Sequence, residues 1–176
     1  MLVYFVRHAS AGERKADPAK DQKRPLDEDG IAQCGFVGRA LALLETHVDA
    51  IVSSPLKRAT QTASLIANDL AFEGKLDIDP ALRPEAGYSQ FRDLLDRHHD
   101  KEAILVVGHN PNLSQFLGRL LGAAATRSGV ELKKGAVARV EVDHHRGMLN
   151  WLITPKVLRV LYDTSGSSSR PKTARK

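Results

Sequence analysis

The stretch Leu2-Val3-Tyr4-Phe5-Val6-Arg7-His8-Ala9 opens with five apolar residues, mostly aromatic or β-branched, and delivers an arginine and a histidine side by side. An apolar run so short and of that composition reads as a buried strand. In open α/β sheets ligands bind where strands end at their carboxyl edge, so Arg7 and His8 are the first candidates for chemistry. A guanidinium grips an oxyanion with its planar fork, and an imidazole has a pKa near neutrality. Together they suit transfer of a phosphoryl group to histidine.

Two later runs end in the same manner. Ala50-Ile51-Val52-Ser53 leads into Ser54-Pro55, read as the N-cap and first residue of a helix running to about Leu70, with Arg58 one turn along. Ala103-Ile104-Leu105-Val106-Val107 delivers Gly108-His109-Asn110-Pro111. There Asn110 is read as a cap with a secondary place at the pocket, and Leu113, Phe116, Leu117 and Leu120 as the inner face of the helix that follows. Residues 9–25 are too charged for a core and read as a surface loop. The spacing of Ile31, Cys34, Val37, Leu41 and Leu44 predicts a helix over 27–45, with Asp27, Glu28 and Asp29 at its positive end.

A weak strand near 76–80, a helix over 88–98 with Phe91, Leu94 and Leu95 inside, strands over 136–142 and 148–153, and a helix over 156–162 complete the pattern. Strands alternating with helices predict an α/β three-layer sandwich: a mostly parallel central sheet, helices on both faces, and a closing antiparallel hairpin. If the strands ending at Arg7, Ser53 and Gly108 are parallel neighbours, their ends share one edge. His8, His109, Arg7 and Arg58 would then converge with a helix start on a site suited to a phosphate dianion.

A chain of 176 residues, 42% hydrophobic and 27% charged, is expected to form one domain over 1–163. No apolar stretch has the length of a membrane span or a secretory signal, so no membrane association is expected and the cytoplasm is the expected compartment. Cys34 is the lone cysteine, which leaves no intramolecular disulfide and points to packing. The net charge of +5 is carried largely by residues 164–176, where Arg170, Lys172, Arg175 and Lys176 meet no acid, leaving +1 for the remainder. That serine-rich tail has almost nothing to bury and is expected to be disordered. It lacks interleaved aromatics, so no nucleic-acid partner is expected. His98-His99-Asp100 and Asp143-His144-His145 fall in predicted turns, where neighbouring side chains diverge, and no metal site is expected from them. Tyr4 and Trp151 lie within apolar strand patterns and read as packing residues.

Arg7-His8, Ser53-Ser54-Pro55-Leu56-Lys57-Arg58-Ala59-Thr60-Gln61-Thr62-Ala63 and Gly108-His109-Asn110-Pro111, in that order, resemble the histidine phosphatase superfamily, of phosphoglycerate-mutase-like fold. Arg24-Pro25-Leu26, Gly30, the short middle segment and Leu149-Asn150-Trp151 with Thr154-Pro155 further resemble its small SixA-type phosphohistidine phosphatases. The resemblance implies a cofactor-independent phosphatase in which His8 attacks phosphorus and is transiently phosphorylated. It implies that Arg7, Arg58 and His109 bind the phosphoryl oxygens, with Arg24 as an auxiliary phosphate ligand.

Two positions depart from the family pattern. Ala9 stands where glycine is usual, and the loop must therefore avoid a positive φ. Many relatives carry a glutamate two residues after a leucine to protonate an alkoxide; here Leu82-Arg83-Pro84 puts proline there, and Glu85, one position late, is the candidate general acid. Phosphohistidine leaves as a weakly basic imidazole and needs no such acid. The implied substrate is therefore a histidine-phosphorylated protein partner such as a phosphotransfer domain. The alternatives are a broad phosphomonoesterase acting on small phosphorylated molecules, or a phosphate-binding regulatory module without turnover.

Overall fold

The first strand, β1 (Leu2–Arg7), ends on the arginine as its sequence predicts. A computed structural model describes residues 1–123 and 129–166 of the chain. After β1 come α1 (Pro18–Gln22), α2 (Glu28–Leu43), β2 (Ala50–Ser53), α3 (Lys57–Asp69) and β3 (Leu76–Ile78). A 3-10 turn over Pro80–Leu82 leads to α4 (Tyr88–Arg97), β4 (Ala103–Gly108), α5 (Asn112–Leu120), β5 (Val137–Asp143), β6 (Arg146–Ile153) and α6 (Pro155–Gly166).

The strands form one six-stranded sheet in the order β3-β2-β4-β1-β5-β6. The first four are parallel and the last two join by antiparallel pairing, so the predicted α/β sandwich with a mostly parallel sheet and a closing antiparallel hairpin is the one observed. β4 lies between β2 and β1, with Ile104 opposite both Val3 and Ala50. Because side chains alternate along a strand, β1 serves two cores at once. Val3 and Phe5 face Phe91, Leu94, Phe116 and Leu117 of α4 and α5. Tyr4 and Val6 face Val37, Leu41, Ala63 and Ile66 of α2 and α3. Phe5 meets the Phe91 ring at 5.6 Å, and Phe91 stacks on Phe116 at 4.9 Å. Each such side chain, removed from water, contributes about 1.5–3 kcal/mol. α6 lies on α2, where Tyr162 stacks on Phe36 at 5.8 Å, and Tyr4 packs against Trp151 at 6.1 Å.

Four local expectations are corrected. The supposed loop 9–25 contains α1, started by Asp17, whose side chain accepts from the Ala19 amide, and by Pro18 behind it. Ile31 and Leu44 are about half exposed. The buried stripe of α2 runs through Gly30, Cys34, Val37, Gly38 and Leu41, its small residues admitting close neighbours that a count of bulky apolar side chains cannot see. A Cβ on Gly30 would sit 2.0 Å from the Ser10 carbonyl oxygen, so α2 packs directly on the chain that follows β1. Ser54 and Asn110 are not helix caps, since α3 starts at Lys57 behind Leu56 and α5 at Asn112 behind Pro111, both without a side-chain cap. α6 carries on through residues 164–166, and residues 167–176 of the tail lie outside the described residues. Among the described residues no helix is long and apolar enough to cross a membrane.

Candidate active site

Adjacent parallel strands β2, β4 and β1 deliver Ser54, His109 and His8 to one edge of the sheet. The Ser54 amide donates to the Val107 carbonyl at 2.9 Å and the His8 amide to the Gly108 carbonyl at 3.0 Å, extending the ladder past the strand ends. Ala9 is fully buried and is not among the described non-glycine residues whose φ is positive, so alanine fits here without backbone strain. Its amide donates to Thr62 Oγ1 at 3.1 Å, and that hydroxyl donates to the Arg58 carbonyl at 2.8 Å. One threonine on α3 thus ties the loop after β1 to the helical turn that carries Arg58.

The His8 and His109 rings meet at 4.8 Å, both almost wholly buried. His8 Nδ1 lies 2.8 Å from the Ala9 carbonyl oxygen, an acceptor only, so Nδ1 carries the hydrogen and the Nε2 lone pair is left open. Burial, reinforced by Arg58, Arg7 and Arg24, lowers the His8 pKa to about 3, so the imidazole is neutral at physiological pH. His109 is also pushed down, by burial first and then by His8, Arg58 and Arg7. Its Nε2 shares a 2.8 Å hydrogen bond with Ser54 Oγ, and Ser54 Oγ also accepts from the Leu56 amide at 3.4 Å. Among the described residues His109 Nε2 is the acceptor within reach of the buried Ser54 hydroxyl, so the hydroxyl donates its hydrogen there. The neutral ring then holds its proton on Nδ1, which is buried and without a partner among the described residues.

Arg7 Nη1 donates to the Leu132 carbonyl at 3.0 Å. Arg58 Nη1 donates to the Asp21 carbonyl at 2.9 Å and to Asp21 Oδ2 at 3.3 Å. The Nε of each is buried with no partner among the described residues, an arrangement that costs free energy unless a ligand accepts from it. Arg24 Nε donates to Asp21 Oδ1 at 2.9 Å, and its Nη1 to the carbonyls of Ala11 and Gly12. The edge of the sheet therefore combines one open imidazole lone pair with N–H groups that have no acceptor among the described residues. That set matches a tetrahedral oxyanion.

The other two predicted residues stand differently. Asn110 donates from Nδ2 to the Leu132 carbonyl at 2.8 Å, and its Oδ1 accepts from Ser114 Oγ at 2.9 Å, so both ends of the amide are taken within the protein. Ser114 Oγ also accepts from the Leu132 amide, which fastens to α5 the same residue that holds Arg7. Glu85 is exposed and bonded at 2.6 Å to Arg83 Nε, a contact that holds its carboxyl below the usual range. Asn112 fixes this segment by donating to the carbonyls of Arg83 and Ala86.

Sequence reasoning missed Asp21, Ser114 and the part played by Ser54. The Asp21–Arg24 spacing of three, favourable for an ion pair, was a legible signal for the first. Ser114 carried none, since its partner Leu132 is distant in sequence. Among the described residues no three His, Cys, Asp or Glu side chains are grouped to hold a metal ion.

Over residues 3–92 the chain matches the model of the histidine phosphatase superfamily (branch 1). An uncharacterised protein of Picosynechococcus sp. is 31% identical over 173 residues, taking in 90% of this chain and 99% of its own. The fold is similar to that of the protein histidine phosphatase SixA complexed with tungstate, with a TM-score of 0.78 at 24% identity, covering 90% of this chain and 99% of that one. It is also similar to the alpha-ribazole phosphatase from Shigella flexneri, with a TM-score of 0.71 at 18% identity, covering 88% and 97%. At those identities the two structures speak to fold alone. With the family model spanning half of the chain and a relative matched along nearly all of it, this protein belongs to the histidine phosphatase superfamily, branch 1.

Proposed function

We propose that the protein is a phosphatase that removes phosphoryl groups from histidine on a protein partner, through a phosphohistidine formed on His8. The observation that carries this reading is the tautomer of His8. With Nδ1–H bonded to the Ala9 carbonyl and the ring neutral, the Nε2 lone pair is available to attack phosphorus. Arg7 Nε, Arg58 Nε and His109 Nδ1 donate to the phosphoryl oxygens, and because all three are held by protein bonds they need not reorganise as charge shifts. Asn110 acts here as a positioning residue for Arg7 through Leu132, and Arg24 chiefly braces Asp21 and the loop.

In the first step a bond forms from His8 Nε2 to phosphorus while the bond from phosphorus to the substrate imidazole breaks, and the departing imidazole takes that electron pair. An imidazole that already holds a proton on its other nitrogen leaves neutral, so no acid is required. Water then attacks phosphorus, the His8 nitrogen leaves with its electron pair as a neutral imidazole, and both protons of the water stay on the phosphate as H2PO4− until one passes to solvent. The identity of the leaving group is supported by Pro84 at the place of the family's usual glutamate, and by Glu85 held as an anion against Arg83.

The test is phosphate release from a histidine-phosphorylated phosphotransfer domain beside a panel of phosphate monoesters, in chelator, for the wild type, His8→Ala and Glu85→Gln. The expected result is fast release from phosphohistidine, slow monoester turnover, loss of at least about a thousandfold in His8→Ala, and change within about twofold in Glu85→Gln. Faster turnover of a monoester, with a large loss in Glu85→Gln, would move the reading to a small-molecule phosphomonoesterase. Binding of phosphate with no turnover would leave a regulatory module.

A further inference from the structure

The carboxylate of Asp21 lies against the guanidiniums that face the pocket, although a negative charge there repels an incoming phosphate. The contact is well built: the Asp21 and Arg58 side chains are only 13% and 6% exposed. The Lys15 amide and Arg24 Nε donate to Oδ1, while Arg58 Nη1 donates both to Oδ2 and to the main-chain carbonyl of the same residue. Although burial works against its ionisation, these donors hold the Asp21 carboxyl below the usual range.

We propose that Asp21 is a positioning residue and a built-in counter-anion of the pocket, which aligns Arg58 and Arg24 and limits how tightly the phosphate product is held. The inference rests on the reading of this pocket as a phosphoryl site. Two separable effects follow from the bonds. Asp21 occupies the Nη1 edge of Arg58, which fixes the guanidinium plane and leaves the unbonded Nε as the edge for phosphate. It also sets a negative charge against the positive charges that Arg7, Arg24 and Arg58 bring to the pocket beside two neutral imidazoles. The field of Asp21 reaches His109, and that of Arg24 reaches His8, so both charges act at the reacting centre. A pocket one charge more positive would bind the product harder and release it more slowly, which is a disadvantage for a hydrolase.

The charge and positioning roles separate by substitution. Asp21→Asn keeps an acceptor for the Lys15 amide and Arg24 Nε and leaves Arg58 its 2.9 Å bond to the carbonyl, while it removes the charge and the longer 3.3 Å bond at Oδ2. Asp21→Glu keeps the charge. Binding of inorganic phosphate to the full chain is measured by calorimetry at pH 7.5, with phosphate as an inhibitor of turnover and thermal melting as the check of folding. In Asp21→Asn the phosphate Kd is expected to fall about tenfold and kcat to drop with it, while Asp21→Glu stays near the wild-type Kd. Asp21→Ala, which loses both roles, is expected to lose more than about tenfold in kcat/KM. A phosphate Kd in folded Asp21→Asn that is unchanged or weaker overturns the inference. A wild type that binds no phosphate overturns the phosphoryl reading itself, and the inference with it.

Discussion

The proton on His8 Nδ1 is committed to the Ala9 carbonyl, and the second nitrogen stays unprotonated because burial and three guanidiniums make an imidazolium costly there. An unfolded chain returns that imidazole to a pKa of about 6.5. Between about pH 6.5 and 3 the unfolded state therefore binds a proton that the folded state refuses, so the stability due to a neutral His8 is complete above pH 6.5 and is lost as the pH falls through that window. His109, shifted in the same direction, adds to the loss. Each group costs up to about 1.4 kcal/mol per pH unit inside the window. Nitrogen NMR of the histidine side chains is expected to show His8 as the neutral Nδ1–H tautomer from pH 8 down to pH 5. Urea unfolding over the same range is expected to weaken toward acid, with a shallower slope in His8→Asn. A His8 titration near pH 6.5 would show that the ring is not held as the geometry requires.

At the level of elements, the site depends on how α2 and α3 clasp the loop after β1. Gly30 leaves room for the Ser10 carbonyl where a Cβ would stand 2.0 Å away, and the contact is with backbone, which cannot swing aside. Gly30→Ala is expected to cost about 1–3 kcal/mol, read as a lower denaturation midpoint at unchanged m. It should also lower turnover, since Ser10 adjoins Ala9, whose carbonyl sets the His8 tautomer. The same clasp explains which elements were legible in the sequence. β1, β2, β4 and the inner faces of α4 and α5 followed from runs and spacings of bulky apolar residues, because there hydrophobic burial decides the structure. The inner face of α2 followed in part: Cys34, Val37 and Leu41 lie on it as their spacing predicts, whereas Gly30 and Gly38 contribute by lacking a side chain and leave no apolar signal. Ser54 and Asn110 were misread because serine or asparagine before proline is a local signal for a helix cap, whereas their partners, His109 and Leu132, lie far away in sequence. The pairing of strands resolves that ambiguity, and a local pattern does not contain it.

Across the whole molecule, the order β2-β4-β1 turns three separate sequence motifs into one pocket. Sequence reading could supply the motifs and the condition that their strands be parallel neighbours, but not the two flanking contributions, Asp21 from α1 and the Leu132 carbonyl that holds Arg7. The pocket thus joins parts of the chain from Arg7 to Leu132, and among the described residues nothing accepts from its buried Arg7 and Arg58 Nε–H groups. An anion that satisfies them should stabilise the domain as a unit rather than locally. Inorganic phosphate at one hundred times its Kd is expected to add about 2.7 kcal/mol, which in a domain of this size raises Tm by about 5–10 °C. The shift should vanish in Arg58→Ala and shrink in Ser54→Ala, where His109 loses the partner that fixes its proton on Nδ1. A full shift in Arg58→Ala would place the anion elsewhere on the protein and separate its stabilising effect from this pocket.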